Sequence, residues 1–172
     1  MRYAVIATVV FVALAIETPV LQVLDLTGWS LDFGLISVLY LAASSTRTAG
    51  FVTSVVIGFI LDSFSPGGVL GTNMEIMGIT YLVAMGLAAR FHLSRPLPLM
   101  VAVFVCSIMS TLLFFIFSLL FDRGFSQPSR VLLWAVPHAL LTAAIAPLFY
   151  KLLEAIDERI RGRRARDGIF AR

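Results

Sequence analysis

Six acidic side chains at or near the ends of apolar runs, Glu17, Asp25, Asp32, Asp62, Glu75 and Asp122, are the groups in this chain best placed to do chemistry. A carboxylate near membrane depth is costly, so each needs a donor, a cation or a proton. Glu17 lies about 20 Å along an apolar run from Tyr3, just before Pro19, a residue that kinks a helix and frees a carbonyl. An inward-facing or protonated glutamate follows, either as a site or as a satisfied polar group. Asp32 falls in the first turn of a helix, where negative charge suits the dipole. Thr72 and Glu75 have the spacing of a capping box. Asp62 ends a helix, where its charge opposes the dipole, and it runs into Ser63-Phe64-Ser65-Pro66-Gly67-Gly68. It therefore needs a partner, either bare turn amides or Arg123 or Arg130. Glu17, Asp32, Asp62, Pro66 and Gly71 are the candidates for binding a partner or closing a ligand pocket.

Catalysis has little to work with. The chain has no HExxH, GxSxG or GxxxxGK[ST] motif, and only His92 and His138 could offer imidazole. No nucleophile with a neighbouring base is evident, so an enzyme, a metal site and a cofactor are not expected. His92, beside Arg90 and Arg95, reads as solvated. His138 follows Pro137 and reads as bonded to a carbonyl that the proline frees. The lone Cys106 reads as a small packed residue.

The elements that must hold these residues are set by an unusual composition: 59% of the 172 residues are hydrophobic and 13% charged, with a mean hydropathy of +0.96. Water is not the main solvent of such a chain. Apolar runs cover 3–24, 31–43, 49–61, 74–89, 97–121 and 131–150, bounded by charges, glycines or prolines. The fold class expected is all-α, a bundle of six transmembrane helices over 1–150 with a basic amphipathic tail over 151–172. The first run reads as an uncleaved helix, since no small-residue cleavage pattern follows it. The second and third runs are short, but a re-entrant hairpin would carry Arg47 to its deepest point, so two short crossings are expected. With the N-terminus inside, eleven of the thirteen basic residues fall on the cytoplasmic side and only Arg123 and Arg130 outside. The topology is then N-in and C-in, while the outer rim is acidic.

Two stripes of small residues suit close helix packing: Gly50, Ser54 and Gly58 on the third helix, and Ala135, Ala139 and Ala143 on the sixth. Packing within the bundle outweighs docking of a foreign helix, but the glycine stripe is also the candidate partner face. Past Tyr150, Leu152, Leu153, Ile156 and Ile160 recur on one face until Gly162 breaks the pattern, with the acids and arginines opposite. Arg161, Arg163, Arg164 and Arg166 would then meet anionic headgroups or a cytoskeletal surface.

Leu31-Asp32-Phe33, Val38-Leu39-Tyr40-Leu41-Ala42, Gly50, Gly58, Leu61-Asp62, Pro66, Leu70-Gly71 and Tyr81, in that order, resemble the bacterial rod shape-determining protein MreD family over roughly residues 31 to 90. That family more usually has proline where this chain has Leu31. The resemblance implies a non-enzymatic scaffold of the cell-elongation machinery in the bacterial inner membrane. Such a scaffold works with MreC, MreB filaments, RodA and a class B penicillin-binding protein. The family also looks like the substrate-binding components of energy-coupling-factor transporters, so a membrane-embedded binder of a small molecule or lipid is the alternative.

Overall fold

A computed structural model describes residues 2–23, 31–64, 71–91, 95–121 and 128–170, and within them it is all-helical. The helices are α1 (Arg2–Val23), α2 (Phe33–Ser44), α3 (Arg47–Phe64), α4 (Thr72–Arg90), α5 (Pro96–Phe121) and α6 (Pro128–Phe170). Each overlaps one apolar run, though α6 continues well past the end of its own at 150, and local chemistry sets the ends. Asp32 is the N-cap of α2, its Oδ1 accepting from the Leu35 amide at 2.9 Å. Prolines open α5 and α6, where a missing N–H leaves no intrahelical bond unmade. Gly71, at φ +102°, turns the chain into α4 through a left-handed conformation that disfavours side chains.

The 12-residue α2 is the axis of the bundle: it contacts all five other helices, and residues from Gly34 to Leu41 are buried in unbroken succession. This centrality accounts for its length. Hydrophobic mismatch penalises helix surface that faces lipid, and α2 presents almost none, so the thinning or tilt expected of a short crossing is not required of it.

The outer surface is apolar and much of the hydroxyl content lies inside. Val52, Leu97, Leu120, Leu133 and Leu148 are exposed, whereas Ser37, Ser54, Thr80, Ser107 and Thr142 are fully buried. Ser37, Ser54 and Thr53 donate to the carbonyl four residues back, the usual way for a hydroxyl to satisfy itself within an apolar helix. An apolar perimeter this continuous suits lipid and not water. Among the described residues three helices, α3, α5 and the 133–160 stretch of α6, are long and apolar enough to cross a membrane, which marks the chain as a membrane protein.

The end of α6 departs from expectation. Its 43 residues run without a break past Tyr150 and through Gly162 to Phe170. One glycine costs a helix interior only about 1 kcal/mol, too little to end it alone. Its packed face also differs: Leu153 is buried but Leu152 is half exposed, and the face turned to the bundle runs Ala146, Tyr150, Leu153, Asp157.

Candidate functional site

Polar side chains gather at two levels of the bundle, separated by about 22 Å if measured along α6 from Thr142 to Asp157. At the first level, the start of α1 meets the end of α2 and the far part of α6. Arg2 Nε lies 2.7 Å from Asp157 Oδ1, with side-chain exposures of 16% and 4%. The Tyr40 hydroxyl donates to Asp157 Oδ2 at 2.8 Å. Arg2 also donates to the Ser44 carbonyl at 3.0 Å and to Ser44 Oγ at 2.8 Å, and Ser44 Oγ donates to the Tyr40 carbonyl at 2.7 Å. Tyr150 packs edge-on against Tyr40, with ring centroids 5.1 Å apart. The result is a buried, charge-assisted clasp between residues 155 positions apart in sequence.

None of its members was a sequence candidate, because Arg2 reads as an inner-side charge and Asp157 as one acid of a solvated tail. A signal existed. Ala146, Tyr150, Leu153 and Asp157 keep helical spacing on one face, so the aspartate extends an apolar stripe and not the polar face.

At the second level, Glu17, Asp32 and Asp62 each meet backbone amides. The Leu31 amide donates to the Glu17 carboxylate, tying α1 to the approach to α2. Asp32 caps α2, and its own amide reaches Thr142 Oγ1 on α6 at 3.4 Å.

Asp62 takes turn amides as partners. Its carboxylate accepts from the backbone amides of Gly71 (3.0 Å), Asn73 (3.1 Å) and Met74 (3.3 Å), and from Asn73 Nδ2 (3.0 Å). An acid that opposes the dipole of α3 thereby complements the dipole of α4. This corrects the capping-box expectation for Thr72 and Glu75. Gly71 occupies the N-cap position and Thr72 is already helical, one residue out of register for a box, while the carboxylate capping the turn comes from α3. Glu75 is exposed beside an apolar groove of about 400 Å³ between α3 and α4, lined by Phe51, Val55, Gly78 and Leu82.

The glycine stripe is consumed internally. Gly50, Ser54 and Gly58 are buried. A methyl group at Gly50 would overlap the Tyr81 ring, and one at Gly58 would stand 2.5 Å from the Asn73 carbonyl oxygen and 2.6 Å from Met74 Cα. The stripe is where α4 seats on α3 and is not a free partner face. Ala135, Ala139 and Ala143 on α6 are buried as well.

A cavity of about 130 Å³ opens beside the second level, lined by Asp32, Asn73, Met77, Ser110, Thr111 and Phe114. Among the described residues no cluster of three metal-ligating side chains occurs. Pro66, Asp25, Asp122, Arg123 and His92 lie outside the described residues, as do the side chains of Arg130, Arg161, Arg163, Arg164 and Arg166. Set against known proteins, the chain matches no family model, no curated protein and no solved structure.

Proposed function

We propose that the chain is a non-enzymatic scaffold of the rod-shape peptidoglycan machinery in the bacterial inner membrane, six-spanning with both termini inside, and that it binds MreC and helps couple MreB filaments to RodA and its transpeptidase. The reading rests on the MreD-like order of residues from Leu31 to Tyr81. One observation favours it over the transporter-type binder: both aspartates of that pattern are engaged in starting helices, Asp32 for α2 and Asp62 for α4.

Isolation of the tagged chain from native membranes, with mass spectrometry of what accompanies it, should recover MreC and the elongation synthases. Recovery of energy-coupling ATPase subunits in their place, or of a defined small molecule, sinks the scaffold reading. Orientation has its own check: cysteines at Gly28 and Gln127 should react with an impermeant reagent from outside, and those at Thr46 and Ala165 should not. Labelling at Thr46 in intact cells removes the N-in topology.

A further inference from the structure

The groove between α3 and α4 carries a single charged residue, Glu75, on walls that are otherwise apolar: Phe51 and Val55 from α3, and Gly78, Ile79 and Leu82 from α4. It opens away from the bundle, since Phe51, Ile79 and Leu82 are exposed, as are Val52 and Val56 beside them. In a membrane protein such a surface faces lipid. Gly78 at its base differs from Gly50 and Gly58, which the close approach of the two helices demands. A methyl group at Gly78 would meet the Phe51 ring at 3.5 Å and Val55 Cγ2 at 3.6 Å, both ordinary contacts. Helix packing therefore has no need of this glycine, and its missing side chain leaves room in the groove. The volume, about 400 Å³, lies within the roughly 300–1,000 Å³ of small-molecule sites. Glu75 is surplus to the capping of α4, because Asp62 already accepts from the Asn73 and Met74 amides. An exposed carboxylate at the mouth of an apolar groove attracts a cation that has an apolar body attached.

We infer that this groove holds one acyl chain of a phospholipid whose headgroup bears a primary ammonium, the ammonium donating to the Glu75 carboxylate. Its length suits a chain of one leaflet: from Glu75 to Leu82 is about 10 Å at helical rise, within the roughly 15 Å that half of a 30 Å hydrocarbon core provides. A partner's transmembrane helix would need a seat along about 20 residues, well beyond the groove. The headgroup follows from the charge. Phosphatidylethanolamine offers N–H donors to the carboxylate, a choline headgroup has none, and a phosphatidylglycerol headgroup brings a net negative charge towards Glu75. The inference rests on residence in a membrane and not on the scaffold reading, for a bilayer lipid held at the surface is no transported cargo.

The test is native mass spectrometry of the purified chain in detergent, titrated separately with phosphatidylethanolamine, phosphatidylcholine and phosphatidylglycerol of identical acyl chains. The first ethanolamine lipid should bind roughly two- to fivefold more tightly than either of the others, the range for one exposed charge pair. Glu75→Gln should bind the ethanolamine and choline lipids alike. Val55→Phe, which fills the groove from α3, should weaken the first binding step for all three lipids, and Ile79→Trp, which fills it from an exposed position on α4, should do the same. Unfolding in lipid-free detergent checks that Glu75→Gln and at least one filled variant remain as stable as the parent. Equal binding of the three lipids to the parent overturns the proposal, as does an ethanolamine preference that survives Glu75→Gln or a first binding step untouched in a stable filled variant. Dimers of the parent that disappear on filling the groove, with no lipid preference, would give the surface to a second copy and likewise overturn it.

Discussion

Asp157→Ala should destabilise the bundle by about 3–5 kcal/mol, the range for removing one partner of a buried ion pair. The cost arises less from the lost attraction than from what remains. Arg2, with 16% of its side chain exposed, would keep its charge without its carboxylate, and the Tyr40 hydroxyl would lose its acceptor in a buried setting. Ser44 cannot compensate, since Arg2 already bonds both its carbonyl and its hydroxyl. Asp157→Asn should fall between the two, as it retains an acceptor for Tyr40 but not the charge for Arg2. Glu154→Gln, on the exposed side of the same helix, should change stability by less than about 0.5 kcal/mol. Chemical unfolding in mixed micelles reads all three, and amide exchange near Arg2 and Ser44 should quicken in the alanine variant. An alanine variant as stable as the parent would mean that water already solvates Arg2 and that the clasp is not buried in solution.

The extents of the helices, apart from the far end of α6, were legible because apolar runs and their breakers are local features. Asp32 marks the start of α2 by the same physics in sequence and in structure. The place of each helix in the bundle was not legible. A short apolar run such as 31–43 reads the same whether it lies at the rim or at the axis, and only tertiary packing makes α2 the axis. The clasp was hidden for a related reason: counting apolar residues on α6 assigns Leu152 to the packed face, whereas the face is set by what Tyr40 and Arg2 require. The Thr72 and Glu75 pair failed as a capping box because a motif four residues long cannot register that a stronger acceptor arrives from another helix. Asp62 was the informative case, since a charge opposing its own helix dipole needed a partner and the turn amides were among those named for it.

Asp62→Ala is expected to cost about 2–4 kcal/mol, and the reason lies in how one carboxylate organises two helices. Four donors converge on it: three backbone amides at the start of α4 and the Asn73 side chain. Loss of an N-cap alone costs about 1–2 kcal/mol, and each buried donor left unpaired adds roughly 1–3, reduced where water can reach the turn. The figure stays below the sum because these residues are only part-buried. The same turn is pressed against Gly58, where α3 has no side chain to hold it off. With the carboxylate gone, nothing in α3 draws Asn73 and Met74 into that contact, so the lost bonds and the loosened seat are coupled. Asp62→Asn keeps one acceptor oxygen but introduces an amide facing donors, and it should recover less than half of the loss. Glu75→Gln should be nearly neutral, because the exposed Glu75 side chain makes no hydrogen bond among the described residues. Unfolding free energies for the three variants, with cysteine crosslinking between positions 58 and 74 as a gauge of helix separation, decide the matter. Equal losses for Asp62→Asn and Glu75→Gln would show that the charge at the start of α4 matters and its source does not, and the helix-to-helix cap would have to be abandoned.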